Sequence, residues 1–472
     1  MTLTPMTAAH RDALSRLLPE DSVGDVPDAY LTEPRGRFHS NASTLARPAS
    51  TDEVATVMGY AHAHGIGVVP YAGGTGLVGG QVPFDTPAPL LLSVERLRAV
   101  RDVNVEDNVL VAESGVILAE VQDRAQAAGR LFPLSLASEG SARIGGLLAT
   151  NAGGVQVLRY GNARDLCLGV EAVLADGRVL RGLKRLRKDN TGYDLRHLLI
   201  GSEGTLGIIT AASLKLVACP GETATALATV VDPAAAIALL RRVQAQLGEQ
   251  VSAYELIHRV SFDFLAEALP DTALPFATHP EWAVLTELGM PPRAEARARL
   301  ETVLAGALEE GLITDALVAQ NEGQARHFWE LRERIPEANR LIGAINSHDI
   351  SVPVSRLPDF IARGNTAIAA IDPALRINCF GHVGDGNLHY NVFPPKGGAR
   401  ANYADLRNQI KETVHDLADA LDGSVSAEHG IGRMKVADLE RYGDPTKLAA
   451  MKAIKAALDP KGILNPGAVI KL

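Results

Sequence analysis

The chain has 472 residues, 46% of them hydrophobic and 21% charged, with a net charge of −9. That length suits two or three domains around sizeable cores, as in a soluble globular protein. The acidic balance argues against general nucleic-acid binding, and no apolar run of about 18 residues marks a transmembrane helix.

The opening MTLTPMTAAHRDALSRLLPE has charges inside its apolar pattern and reads as a short amphipathic helix, not a signal peptide. Three scattered cysteines, Cys167, Cys219 and Cys379, lack zinc-ligand spacing and suit a reducing compartment. A cytoplasmic location is the resulting expectation.

TDEVATVMGYAHA reads as a helix with Thr51 as its N-cap. GIGVVPYAGG is a buried strand running into a glycine turn. LLLSVERL and VLVAESG are further strands, and ILAEVQDRAQAAGR is a helix ending near Gly129. VEAVLADGRVLRG is a hairpin turning at Asp176-Gly177. ACPGE, near 218–222, breaks the chain. Beyond it strands (ATALATVV, VSAYELI, WAVLTEL, ITDALVA) alternate with helices, the first capped by Asp232 with Pro233 in its first turn. This predicts an α+β sandwich of antiparallel sheet and covering helices.

GGTGLVGG contains Gly74, Gly76 and Gly79 in G-x-G-x-x-G spacing. A dinucleotide fold requires a helix next. Pro83, Pro87 and Pro89 follow instead and forbid one. A glycine turn can still bind an anion through backbone N–H groups. SARIGGLLATNAGG and GSEGTLGIIT are two further glycine-dense segments. Three of them before residue 211 favour one large cofactor held by the first domain. The hairpin FGHVGDGNLHYNV carries His382 and His389 about a GDG turn, which sets them across from each other on neighbouring strands. It is either a polar turn or half of a metal site. SAEHGIG offers Glu428 and His429 for the remainder, with Gly430 and Gly432 to let the chain turn.

With PYAGGTGLVGG, IGGLLATNAGGVQVLRYGNARD, NTGYDLRHLLIGSEGTLGIIT, HDISVP, GHVGDGNLHYN, SAEHGIG and ILNPG in order, the chain resembles the flavin-dependent D-2-hydroxyacid dehydrogenases. These belong to the vanillyl-alcohol-oxidase-type flavoproteins and include enzymes acting on D-lactate and D-2-hydroxyglutarate. The resemblance runs from about residue 40 to the C-terminus. It implies a two-part FAD-binding domain over 1–219, an α+β substrate domain over 220–420, and a segment, 421–472, that returns to the flavin.

By the same resemblance Gly73, Gly74, Thr75, Gly76 and Leu77 wrap the FAD pyrophosphate. Gly145, Gly146, Thr150, Asn151, Gly153 and Gly154 lie along its middle. Glu203, Gly204, Gly207 and Ile208 lie along the adenine side, and Asn465 reaches the ring system. Thr75 stands where relatives with covalent flavin carry His, which implies noncovalent FAD. His382, His389 and Glu428 are implied as metal ligands and His429 as the base. Two imidazoles and a carboxylate suit Zn2+, with Mn2+ and Fe2+ as alternatives. The implied reaction takes a D-2-hydroxy acid to its 2-oxo acid, with the hydroxyl proton going to His429 and hydride to FAD.

Arg332 matches the family's carboxylate-binding arginine, in a segment WELRERIPEANR that reads as helical up to Pro336. Asn391 lies on the side of His389. Ser347 replaces a lysine that relatives carry before HDISVP, and Pro336 a threonine that some have; both positions serve a second carboxylate. Arg334 or His348 is the remaining cation there. A metal-dependent hydrolase, a non-catalytic flavoprotein subunit and an ether-lipid-synthase-like FAD enzyme without net oxidation are the competing readings. No nicotinamide site is evident, so a quinone, an electron-transfer flavoprotein or a cytochrome is the expected acceptor. The oligomeric state stays open, a homodimer included.

Overall fold

The computed structural model describes residues 2–471. The chain divides into two compact units. The first holds Met1–Gly153, Gly161–Cys219 and Glu428–Leu472, and the second Gly154–Tyr160 and Pro220–Ala427. Two segments differ from the division read in the sequence. Residues 154–160 pack in the second unit. So do residues 421–427, where Ser424 bridges to Ser351 and the Ala427 N–H donates to the Asp349 carbonyl.

The first unit has two main sheets. In one, Thr44–Ala46 and Val68–Tyr71 run parallel to Leu90–Ser93 between them, with Val23–Asp25 antiparallel at the edge. The other is antiparallel, in the order Val100–Asn104, Val109–Glu113, Ile208–Lys215, Cys167–Val173 and Val179–Gly182. Short parallel strands buried on both faces explain the continuous apolar runs VVPY and LLLS.

The helix Thr51–His64 starts one residue earlier than the sequence suggested. Ser50 is its cap, accepting the Glu53 N–H at 3.2 Å. Thr51 turns inward, and its hydroxyl donates to Glu171 at 2.7 Å. The second glycine segment is also not a loop throughout, because Ile144–Ala149 is a short helix. A side chain at Gly145 would stand 2.6 Å from the Ser114 Cβ, so this glycine lets the helix approach the sheet.

The tail returns to this unit through buried polar contacts. The Val68 N–H donates to the Ile463 carbonyl and the Asn465 N–H to the Val68 carbonyl, both at 2.8 Å. Lys455, only 5% exposed, donates to Asp459 at 2.5 Å and to the Thr205 and Leu464 carbonyls at 2.8 Å.

The second unit is one seven-stranded antiparallel sheet. Its order is Ile313–Val318, Glu222–Val230, Trp282–Met290, Val251–His258, Arg376–Gly381, Asn387–Phe393 and Asn346–Ser351. Alternate residues face two different cores. Tyr254, Leu256, Ile350, Leu388, Tyr390 and Val392 join the helices Pro233–Leu247, Ala296–Glu309, Leu357–Ile371 and Arg407–Ala420 on one face. Ile257, Phe380 and Phe393 join Arg259–Ala268 and Glu322–Ile342 on the other. The helix Glu322–Ile342 runs through Pro336 instead of ending there. Proline removes one backbone donor, but the flanking Ile335 and Ala338 are buried in that core and hold the turn together.

Glu171 ties strand to helix in the first unit. It accepts from Thr51, from Thr210 at 3.2 Å and from Arg101 at 3.1 Å. Burial raises its carboxyl, but these donors outweigh burial and hold it below the usual range. Stability from a depressed carboxyl is complete above the unfolded value of about 4.3 and fades as pH falls toward the native one. Glu171→Gln should therefore lose about 1–3 kcal/mol at neutral pH. The deficit should hold down to about pH 4.3 and shrink only below it. Urea unfolding of both proteins across that range is the check.

Candidate active site

In the first unit the three glycine segments meet. A cavity with about 910 Å³ of open space is lined by Gly73, Gly74, Thr75 and Gly76 from the first and by Gly145, Gly146 and Thr150 from the second. Glu203, Gly204, Gly207 and Ile208 come from the third, and Asn465 and His429 from the tail. Leu77, Asn151, Gly153 and Gly154, expected there, are not in its wall. Asn151 instead makes the left-handed turn after the short helix, at φ 51°, and its side chain accepts the Arg164 N–H.

The first loop has the chemistry of an anion nest. Gln81 Nε2 donates to the Gly74 carbonyl at 3.2 Å and the Gly76 carbonyl at 2.8 Å, gathering both oxygens. Among the described residues, the N–H groups of Gly73, Gly74, Thr75 and Gly76 donate to no other group of the chain. Unpaired backbone donors beside a cavity suit a phosphate-bearing ligand. Gln81 escaped the sequence reading because nothing in GGQVP marks it as the loop's clasp.

Glu203, in this wall, has φ 51° and is 8% exposed. Its two oxygens accept the N–H groups of Ile431 and Gly432 at 2.7 and 2.8 Å. Burial pushes its carboxyl up, against those two bonds and the charges of Lys435 and Arg433. The same residue's carbonyl accepts from Asn465 Nδ2 at 2.8 Å. Glu203 thus anchors the tail that carries His429 and Asn465.

The second unit collects a different set of groups on the sheet face that carries Phe380 and Phe393. His389 pairs with Phe380 and with Asp349, and Asn391 with Asn378 and Ser347. Ser347, His389 and Asn391 therefore share that face. His348 does not. It pairs with Tyr390, points to the opposite face and packs edge-on against His415, 5.3 Å between ring centres. Its expected role toward substrate is corrected accordingly. His382 is also not directly opposite His389, because the strand ends at Gly381 with φ 153°. The kink still leaves the two rings 5.8 Å apart and nearly perpendicular. Asp385 accepts the Asn387 N–H at 3.1 Å, as a turn residue does.

Arg332 is 6% exposed, so it is not part of a solvated helix face. Its Nε donates to Glu255 at 2.7 Å, and its guanidinium lies over the Phe380 ring at 4.9 Å. Among the described residues it makes no further hydrogen bond, which leaves both terminal nitrogens for a ligand. Glu255 also bonds His382 Nδ1, at 2.5 Å. Burial alone would raise the Glu255 carboxyl, but His382 and Arg332 beside it outweigh burial and hold it at about 2. The sequence reading missed Glu255, although an acid inside the apolar strand VSAYELI was the available signal.

Glu428 follows Ala427, the last residue of the second unit, by a single peptide bond. One ligand atom each from His382, His389 and Glu428 lies within 4.8 Å of the others. Two imidazoles and a carboxylate at that spacing fit one divalent cation. The next residue in the chain, His429, is in the wall of the glycine cavity.

Two family models match. "FAD binding domain" covers residues 42–182, and "FAD linked oxidases, C-terminal domain" covers 219–469. A probable D-2-hydroxyglutarate dehydrogenase, mitochondrial, of Oryza sativa subsp. japonica is 36% identical over 92% of this chain and 76% of its own length. The D-2-hydroxyglutarate dehydrogenase, mitochondrial, of Bos taurus is 37% identical over 96% of this chain and 82% of its own. Among solved structures, p-cresol methylhydroxylase with substrate bound superposes with a TM-score of 0.75 at 15% identity, over 99% of this chain and 98% of that one. Alkyldihydroxyacetonephosphate synthase does so with 0.73 at 18%, over 99% and 86%. The fold is that of the vanillyl-alcohol-oxidase-type flavoproteins. The chain belongs to the FAD-linked oxidase family as a dehydrogenase acting on CH–OH groups.

The expected cytoplasmic location does not stand, because the rice and cattle relatives are named mitochondrial. Free cysteines report a redox environment and not an address. Among the described residues no helix is long and apolar enough to cross a membrane.

Replacing Glu203 by Gln removes one of two charged acceptors and sets an amide N–H against a backbone donor. A hydrogen bond to a charged group is worth about 1.5–3 kcal/mol. Glu203→Gln should therefore retain FAD on the order of tenfold more weakly. The flavin-to-protein absorbance ratio after gel filtration measures this; a ratio equal to that of wild type would remove Glu203 as the anchor.

Proposed function

We propose that this dehydrogenase oxidises a D-2-hydroxy acid to the 2-oxo acid, with noncovalent FAD and a divalent metal, Zn2+ before Mn2+ or Fe2+. The supporting observation is the grouping of His382, His389 and Glu428, with the next residue, His429, in the wall of the glycine cavity. In functional terms residues 1–219 bind FAD, 220–420 carry the substrate groups, and 421–472 complete the site.

FAD supplies a hydride acceptor, and the metal a Lewis acid that lowers the pKa of a hydroxyl. The chain supplies the rest. The loop Gly73 to Gly76 holds the pyrophosphate through its backbone donors. Gly145, Gly146 and Thr150 run along the middle of the cofactor, Glu203, Gly204, Gly207 and Ile208 along its adenine side, and Asn465 toward the ring. His382, His389 and Glu428 hold the metal. Arg332 receives the substrate carboxylate on its two terminal nitrogens, a bidentate match. Asn391 and Ser347, on the face of His389, orient the rest of the substrate. His429 takes the hydroxyl proton. The reduced enzyme passes electrons to a quinone, an electron-transfer flavoprotein or a cytochrome.

D-2-hydroxyglutarate is the first candidate, on the names of the relatives. A D-lactate-like acid is the second, because Ser347 and Pro336 provide no cation for a second carboxylate. An ether-lipid-synthase-like reaction is the other reading, but likeness to that synthase at 18% identity speaks only to fold.

Anaerobic mixing with D- and L-2-hydroxy acids should bleach the flavin with D-acids alone, and chelation should slow the bleaching. If no D-acid bleaches the metal-loaded protein, the reading fails; bleaching that ignores chelator removes only the metal. His429→Ala should slow flavin reduction by roughly 10²–10⁴ with FAD still bound. A rate equal to that of wild type would remove His429 as the base.

A further inference from the structure

Glu255 lies mid-sheet, on a strand that pairs with the strand leading to His382 through Leu256 with Gly381 and Ile257 with Phe380. One step beyond that register, Glu255 and His382 come side by side. The Glu255 side chain is fully buried, and each oxygen has one partner: Oε1 meets His382 Nδ1 at 2.5 Å and Oε2 meets Arg332 Nε at 2.7 Å. An ionised carboxylate only accepts hydrogen bonds, so His382 must donate from Nδ1. Its lone pair is then on Nε2, the nitrogen that a metal can take. Arg332, held through Nε and against the Phe380 ring, keeps its terminal pair of nitrogens in one plane and orientation.

Resting on the reading of the metal and carboxylate sites above, we infer that Glu255 is the positioning residue for both. One buried carboxylate sets the His382 tautomer toward the metal and aims the Arg332 fork at the substrate carboxylate. Metal affinity and carboxylate recognition are thereby coupled through a group that touches neither ligand. A carboxylate behind a metal-bound histidine typically changes metal affinity by about 10–100-fold when removed. Here the same carboxylate also serves a cation on the helix Glu322–Ile342.

Glu255→Gln separates this role from space filling. Glutamine keeps the volume but has a single acceptor oxygen, so it satisfies His382 or Arg332 and opposes the other with its amide N–H. In the flavin-loaded protein, Zn2+ affinity measured by competition with a chromogenic chelator should fall by about 10–100-fold. The KM for the D-2-hydroxy acid that bleaches the flavin should rise more than kcat falls. Zn2+ affinity within about twofold of wild type in a folded, flavin-loaded variant would overturn the inference.

A second measurement needs no folded variant at position 255. In metal-stripped wild type labelled with ¹⁵N-histidine, the His382 resonances are assigned by their loss in His382→Asn. They should show the proton on Nδ1, and a proton on Nε2 would overturn the inference. If wild type takes up no Zn2+, the metal reading fails on its own, and the tautomer then decides the role of Glu255.

Discussion

The cavity wall depends on buried charge that ties the tail to loops more than two hundred residues earlier. Arg433 is the centre of this tie. Its guanidinium donates to the carbonyls of Gly79 and Gly80, at 3.2 and 2.6 Å, and to Asn465 Oδ1 and the Pro466 carbonyl, at 3.0 and 2.8 Å. Burial lowers its affinity for a proton, opposed by Asp85 and Glu203. Five donors spent on four carbonyl-type oxygens and one carboxylate leave no cost of an unpaired cation. Breaking such a set strands buried charge, at about 3–5 kcal/mol for a buried pair. The tail is therefore part of the wall, and His429 and Asn465 inherit their places from it.

In the second unit the governing constraint is the two-residue period of a strand. Leu388, Tyr390 and Val392 enter one core, while His389, Asn391 and Phe393 take the other face. A slip of one residue would exchange the faces and bury His389 among leucines. The register is held by pairing on both sides, six residue pairs with Asn346–Ser351 and five with Arg376–Gly381. Polar chemistry can therefore be built on a central strand without disturbing the apolar face behind it. Glu255 and Ile257 repeat the pattern two strands away.

This period also explains what the sequence made legible. Strands and helices were readable because their apolar spacing is local, and the three glycine segments because glycine marks close backbone approach. The grouping of His382 with His389 was readable from the hairpin, but its geometry was not, since the kink at Gly381 moves His382 past the expected pairing. His348 was misread because standing next to Ser347 in the sequence puts it on the opposite face of the strand. Pro336 was misread because a helix held by Ile335 and Ala338 tolerates the loss of one bond. Glu255 was marked only as an acid inside an apolar strand, because its partners His382 and Arg332 are distant in sequence, and Gln81 was missed because nothing in a glycine loop marks the side chain that clasps it.

Specificity follows from the same geometry. Arg332 spends Nε on Glu255 and offers one planar fork, which matches one carboxylate. Of the other positions toward which the resemblance points for a second carboxylate, Ser347 is exposed and uncharged, and Pro336 carries no donor. His348 is on the other face, and Arg334 is two residues from Arg332 on a helix, a spacing that places the two on different sides. A distal carboxylate served only by solvent-exposed groups is worth about 0–1 kcal/mol, against about 1.5–3 for a charged hydrogen bond. If Arg332 takes the α-carboxylate as proposed, that end is specified within this unit, while the side-chain end meets no charged group at these positions. Under the proposed reading, those four positions therefore discriminate little between a one-carbon and a longer acidic side chain.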